Sequence, residues 1–244
     1  MIKIFHKWFR SCLNLVYPLK CFVCDSVLSI EEPVKQHICP DCFKKIKFIT
    51  CSVCEKCGRP SNSSICLQCN KNPKIFFDRV IPIAVYEDVL RELIHLFKYK
   101  KSDYLDKFLA GFLIEKILES DDLKDVDFIV PVPMHWFDKF RRGYNQTELL
   151  ACEISKSIGA PVLSDRLIKY KRTVSQTTLS GKERVKNVKG AFKVKNSEIL
   201  EGKKVLLIDD VFTTGATLNE CSKMLRGAKV KHINALTLAC VCQV

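Results

Sequence analysis

Apolar positions along this chain change their spacing near residue 78. Ahead of that point, residues 21–72 are turn-rich and carry no long periodic run. Beyond it, strand-like runs alternate with helical spacing. Arg79–Tyr86 reads as a strand, and Val89, Leu90, Leu93, Ile94 and Phe97 share a helical face. Tyr104–Glu119 repeats that spacing through Leu105, Phe108, Leu109, Phe112, Leu113, Ile117 and Leu118. Asp127–Pro133 is a short apolar strand, and Gln146–Ser157 a helix with Gly159 as its stop. Arg166–Tyr170 and Ala191–Val194 suit short strands around a polar stretch. Lys203–Asp209 is the strongest strand; a helix follows from about Ala216 to Arg226, stopped by Gly227, and a last strand over about Val230–Leu238. This alternation predicts an α/β fold, a largely parallel sheet flanked by helices.

At the N-terminus, Ile2, Phe5, Phe9 and Leu13 share a helical face, with Trp8 and Cys12 beside them. That pattern predicts an amphipathic helix within residues 1–20, docked on its own protein; peripheral contact with a membrane surface is the alternative. The expected organisation is this helix, a cysteine-rich module over residues 21–72, and an α/β domain over residues 78–244.

Composition sharpens this picture in three ways. A hydrophobic content of 47% over 244 residues argues against global disorder and leaves room for one large domain or two modest ones. No run of about 18 apolar residues is present, so no transmembrane helix is expected. Lys3, His6, Lys7 and Arg10 interrupt the N-terminal apolar stretch, which lacks the continuous core of a secretory signal. A reducing cytoplasm is therefore expected, with cysteines as thiols or metal ligands.

Of 14 cysteines, most fall between Cys12 and Cys69. Cys21-x2-Cys24 with Cys39-x2-Cys42 makes one four-thiolate set. Cys54-x2-Cys57 with Cys66-x2-Cys69 makes a second. Paired CxxC turns supply the tetrahedron that structural zinc takes, and the spacings resemble zinc ribbons rather than iron–sulfur motifs. Each unit is too small to bury a core of its own, so metal supplies much of its folding free energy. Cys51 forms a further CxxC with Cys54, which leaves the register of the second set open, and pairings crossed between the sets are open too. Cys12, Cys152, Cys221, Cys240 and Cys242 read as small core residues. Lys and Arg exceed Asp and Glu by 40 − 27 = +13. Two zinc sites would add −8 + 4, leaving roughly +9, a balance that suits polyanions such as nucleic acid or phosphorylated metabolites.

The segment from Val205 to Thr217 carries the chemistry. An apolar strand ends in Asp209-Asp210, and Thr213-Thr214-Gly215-Ala216-Thr217 then opens a helix. Carboxylates at the carboxyl end of a parallel strand can accept from ribose hydroxyls, and backbone N–H groups at a helix start suit a phosphate. The full string resembles the phosphoribosyl pyrophosphate (PRPP) motif of type I phosphoribosyltransferases. A second string, Pro131-Val132-Pro133-Met134-His135 followed by Arg141-Arg142-Gly143-Tyr144-Asn145-Gln146, resembles the signature of the ComF family. Arg172, Gln176, Leu179, Arg184, Asn187, Gly190-Ala191-Phe192, Lys98-Tyr99 and the cysteine sets fit the same family.

That resemblance implies a type I phosphoribosyltransferase-like domain behind a double zinc ribbon. It implies that Asp209 and Asp210 contact the ribose, directly or through magnesium, with a catalytic part open to either. Thr213, Thr214, Gly215, Ala216 and Thr217 would wrap the 5′-phosphate. Val132 and Pro133 lie in the pyrophosphate-contacting loop; Lys98, Arg141, Arg142, Asn145 and Gln146 are further pyrophosphate or substrate candidates. His135 reads as a loop-structuring residue ahead of a catalytic acid. Two functions follow. One is magnesium-dependent phosphoribosyl transfer to an unidentified acceptor, within a factor for DNA uptake in natural transformation. The other is a non-catalytic, PRPP-responsive protein that binds single-stranded DNA or regulates, with a helicase-like ATPase as partner.

Overall fold

The computed structural model describes residues 19–28, 38–71, 74–99, 105–173 and 181–242. The apolar face expected over Ile2–Leu13 lies outside them, as do Gln176 and Leu179. Four parallel strands form the main sheet in the order β1-β6-β5-β2: β1 Arg79–Val85, β2 Phe128–Pro131, β5 Lys204–Phe212 and β6 His232–Cys240. β3 (Leu167–Lys169) and β4 (Phe192–Val194) pair antiparallel beside it, as the two short apolar runs predict.

Alternation along the strands splits the core into two layers. Leu206 and Ile208 of β5 and Leu236 and Leu238 of β6 pack beneath α1 (Asp88–Tyr99), α2 (Leu105–Leu118) and, C-terminal to α3 (Trp136–Arg142), α4 (Gln146–Ile158). Val205, Leu207, Ile233 and Ala235 face the other way. There α6 (Ala216–Gly227), which follows α5 (Gly181–Val188), contributes Leu218, Cys221 and Leu225. Arg226, in the last turn of α6, fixes that helix to the sheet through bonds of 2.7 and 2.8 Å to both carboxylate oxygens of Asp78.

Strand boundaries differ from expectation, and β2 stops at Pro131 rather than Pro133. β5 continues past Asp209 to Phe212, and β6 runs to Cys240 rather than Leu238, because the pair keep their register through Asp209–Thr237, Val211–Ala239 and Phe212–Cys240. Of the stray cysteines, Cys221 and Cys240 are core residues as expected, whereas Cys152 is exposed.

The cysteine-rich module wraps the β1 edge. Lys47–Ile49, between the two cysteine sets, runs antiparallel to β1: Val85 donates to the Lys47 carbonyl at 2.9 Å and Ile49 to the Ile83 carbonyl at 3.0 Å. Val80 donates to the Lys56 carbonyl at 2.8 Å. An edge that would otherwise offer unpaired backbone groups is thereby covered. The first set packs with the α1–α2 layer through Cys21, Cys42, Ile38 and Ile46. The second joins the opposite layer through Cys54 and Cys57.

Candidate phosphoribosyl site and cysteine centres

β5 carries its acids beyond the point where β2 stops pairing. The last residue of β2, Pro131, lies opposite Ile208, and Val132 donates to the Ile208 carbonyl at 2.9 Å before the chain turns away into α3. From Asp209 onward β5 has no strand partner on that side, and the Val132–His135 and Thr213–Thr217 loops follow the ends of β2 and β5. The crevice beyond the carboxyl ends of parallel strands is where open α/β sheets bind ligands.

Because β5 is still extended here, Asp209 and Asp210 turn to opposite faces. Asp210 meets Lys98 at the end of α1, with Oδ2 and Nζ 2.8 Å apart. Burial works against the Lys98 charge, but the facing carboxylate outweighs it and holds the amine above its ordinary value. Asp209 lies on the side of Lys169 and Cys221. Burial, reinforced by the Asp210 carboxylate, pushes the Asp209 carboxyl up to about 7, against the pull of the Asp210 N–H, Lys98 and Lys169. The Asp210 N–H donates to Asp209 Oδ1 at 2.9 Å. Adjacent acids thus sit in different environments: one ion-paired, the other poised to titrate near neutrality.

The loop after β5 is shaped for close backbone approach. Gly215, at φ +80, precedes the first residue of α6, and a Cβ there would lie 2.9 Å from two carbons of the Phe212 ring. Ala216 N–H donates to Thr214 Oγ1 at 3.3 Å. Across the crevice, Asn145 Nδ2 donates to the Val132 carbonyl at 3.2 Å and Thr147 Oγ1 to the same oxygen at 2.7 Å, fixing the Val132–Pro133 turn. Gln146 is buried, its amide nitrogen without a partner among the described residues. His135 is buried and its Nδ1 accepts from the Phe137 N–H at 3.3 Å, capping α3, as the structuring role predicts.

The candidate cations separate. Lys98 enters the crevice; Arg142 lies at the end of α3 with its guanidinium 5.4 Å from the Tyr99 ring centroid; Arg141 is exposed. Two residues to which sequence reading gave no role of their own belong here. Tyr144 donates to the Phe97 carbonyl at 2.6 Å, tying the Arg142–Gln146 segment to the turn that carries Lys98. Lys169 is a half-buried amine whose pKa burial lowers, with Asp138 and Asp209 opposing the shift. A lone lysine closing the apolar Leu167-Ile168 pair was its only signal.

In each cysteine set the four sulfurs lie within 4.8 Å of one another: Cys21, Cys24, Cys39 and Cys42, and Cys54, Cys57, Cys66 and Cys69. Cys51 is exposed and outside both, so the second register is Cys54–Cys69 and the sets are not crossed. The Cys24–Cys39 and Cys57–Cys66 sulfur separations of 3.6 Å approach the edge, about 3.8 Å, of a tetrahedron with zinc–sulfur bonds of ~2.3 Å. Backbone N–H groups point at the sulfurs, Cys42 to Cys39 at 3.4 Å and Cys66 to Cys54 at 3.3 Å, which favours thiolates. The donor sets fit zinc.

Comparison with known proteins agrees with this geometry. Residues 12–72 match the double zinc ribbon domain and residues 139–242 the phosphoribosyl transferase domain. Competence protein F of Haemophilus influenzae is 34% identical over 229 residues, spanning 91% of this chain and 97% of that protein. The chain belongs to the competence protein F family. Competence protein ComFC of Bacillus subtilis is 28% identical, spanning 91% of this chain and 95% of its own length. The DNA utilization protein YhgH of Escherichia coli K12 is 28% identical, spanning 86% and 92%. The α/β domain is accordingly of phosphoribosyltransferase type, preceded by a cysteine-rich zinc-ribbon module. Among the described residues, no helix is long and apolar enough to cross a membrane.

Proposed function

We propose that the crevice binds PRPP and that the protein is a phosphoribosyltransferase-family factor in DNA uptake, with two structural zinc sites in the ribbons. The observation that carries this is the meeting of Asp209, Asp210 and Lys98 with the Gly215 turn at one open strand end. In this reading the acids, one on either side of the β5 strand end, bracket the ribose hydroxyls, and the N–H groups and hydroxyls of Thr213–Thr217 hold the 5′-phosphate at the start of α6. The Val132–Pro133 turn lies on the pyrophosphate side, with Asn145 and Thr147 keeping it in place. Arg141, Arg142 and Gln146 complete that side as candidates.

If transfer occurs, a nucleophile attacks the ribose anomeric carbon and pyrophosphate leaves with the bonding electrons. The hard oxygen donors of the acid pair suit magnesium, which would compensate charge on the leaving group. Asp210, held by Lys98, supplies a fixed negative charge near the electron-poor ribose. Asp209, where it binds no metal, has its carboxyl pushed up to about 7 by burial and is then suited to take a proton from the acceptor. Isothermal titration of the full chain with magnesium and PRPP tests the reading: binding is expected, and Asp209→Asn/Asp210→Asn should abolish it. Equal binding by that variant would move the site elsewhere.

A second reading, PRPP-responsive binding of single-stranded DNA without transfer, is favoured by exposed rings that have cations beside them. Trp136, Phe140, Tyr99 and Tyr170 are exposed at 69%, 83%, 62% and 52%. Arg142 covers Tyr99, and Arg172 lies 4.2 Å from the Phe137 centroid. Exposed rings interleaved with cations suit stacked bases and a phosphate backbone. A cytoplasmic setting and a helicase-like ATPase partner belong to this reading, by likeness to competence proteins. PRPP turnover with an identified acceptor favours the first reading. PRPP binding without turnover, with salt-sensitive single-strand binding lost in Trp136→Ala/Phe140→Ala, favours the second.

A further inference from the structure

One side chain joins the second cysteine set to the loop after β5. Arg59 follows Cys57-Gly58 in the first turn of that set. Its Nη1 donates to Gln68 Oε1 at 2.7 Å, within the Cys66–Cys69 turn. Its Nε donates to the Val241 carbonyl at 3.2 Å, and its Nη2 to the carbonyl of Thr213. The guanidinium carbon also lies 4.6 Å from the centroid of the Phe212 ring. Each guanidinium nitrogen therefore has a partner: one in the Cys66–Cys69 half of the set, one just after β5 and one just after β6.

The bond to Thr213 has a directional consequence. In a planar trans peptide the carbonyl and the following N–H point in opposite directions. Holding the Thr213 carbonyl toward Arg59 aims the Thr214 N–H away from it, at the start of the loop. The ring under Arg59 is the same Phe212 ring against which the Gly215 backbone passes. Arg59 thus touches the loop twice, through a carbonyl and through the ring that supports its glycine.

The turn bearing Arg59 is itself firmly seated. Gly58, at φ +67, would place a Cβ 2.3 Å from Pro82 Cδ and 2.4 Å from the Val80 carbonyl. No side chain can stand between this turn and β1. Cys54 and Cys57 are buried in one cluster with Phe77, Val80, Phe212 and Cys240. Movement of the second cysteine set is therefore passed to Phe212 and Thr213 rather than absorbed in a soft joint. The first set packs against the opposite layer, with the helices rather than with Phe212.

We infer that Arg59 is a positioning residue through which the second cysteine centre holds the Thr213–Thr217 loop in its anion-binding shape. An intact second centre is then a condition of tight binding of a phosphorylated ribose, and an intact first centre is not. This rests on the reading of that loop as the 5′-phosphate cradle. The pre-organised loop spares the ligand the cost of ordering it, which is the physical source of the effect.

The test uses the full zinc-loaded chain and compares wild type with Arg59→Ala and Arg59→Lys. Hydrogen exchange at residues 213–217 reads the loop, titration with PRPP and with ribose 5-phosphate reads the ligand, and metal analysis confirms two zinc per chain. Arg59→Ala should weaken both ligands about tenfold and speed exchange in the loop. Arg59→Lys keeps the charge but loses the fork, and should be nearly as weak. Unchanged exchange and affinity in Arg59→Ala would overturn the inference, as would full rescue by Arg59→Lys, which would make the effect one of charge alone. If wild type binds neither ligand while loop exchange still depends on Arg59, the positioning role stands and the phosphoribosyl reading fails. Should Arg59→Ala not fold, the Arg59→Lys comparison carries the same two outcomes.

Discussion

The two cysteine centres share a ligand set and a local turn, yet the protein uses them differently. The first lies against helices. Phe43 and Phe48 of its flank cluster with Phe112 of α2 at ring-centroid separations of 6.2 and 5.4 Å. The second lies against the carboxyl ends of β5 and β6, where the chemistry is expected, and sends Arg59 into the loop there. One motif, repeated in sequence, thus packs on the helical layer in one copy and contacts the loop after β5 in the other. The surroundings of a metal site, rather than its ligands, decide what its loss would do.

The strongest test separates the copies by their metal. Cys57→Ser removes a buried ligand of the second set and Cys24→Ser an exposed one of the first. Each should lower the zinc content from two per chain to about one. PRPP affinity should fall by at least about tenfold in the first case and stay within about twofold in the second. Similar losses in both would erase the distinction.

Phe112→Ala probes the other side. Removing a buried ring beneath the first set should cost about 3–5 kcal/mol in denaturant unfolding, with ligand affinity retained in the protein that remains folded. Gly58→Ala should cost less, about 2 kcal/mol, through a strained φ and a clash with β1, and should weaken the ligand as well because the Arg59 turn is displaced. A Gly58→Ala protein with wild-type affinity would show that the seating of the second set does not matter to the loop.

The smallest effect is a pH dependence confined to the crevice. The ordinary Asp209 value of 3.8 rises to about 7 in the fold. Over that window the folded protein holds a proton that the unfolded chain has released, so rising pH withdraws stability, and the full penalty is present above about 7. Asp209→Asn removes this slope. Its melting temperature should gain on wild type as pH is raised from 4 to 8, whichever cysteine centre has been weakened. A constant difference across that range would place Asp209 in an ordinary environment.

Much of this was legible in the chain. Apolar spacing located the principal helices and strands of the α/β domain, and Cys-x2-Cys pairs located both centres. What spacing could not supply was a reason to choose Cys57 over Cys51 or to extend β5 past Asp209. Both depend on partners distant in sequence: the converging Cys66–Cys69 turn, and the continued pairing of Val211 and Phe212 with β6. That extension is what turns Asp209 and Asp210 to opposite faces, which a strand ending at the first acid would not require. Lys98 was visible only through family resemblance, since nothing local announces an ion pair with a residue more than a hundred positions away. Arg59 lay hidden for the same reason: its partners, Thr213 and Val241, come from the other end of the chain.

The claim on which the rest depends is that the open end of β5 is a PRPP site. Titration calorimetry of the zinc-loaded full chain with PRPP and magnesium, beside Asp209→Asn/Asp210→Asn of equal thermal stability and zinc content, tests it most directly. Saturable binding at about one ligand per chain in wild type, abolished in the variant, is the predicted result. Undiminished binding in the variant, or no binding in wild type, would contradict it.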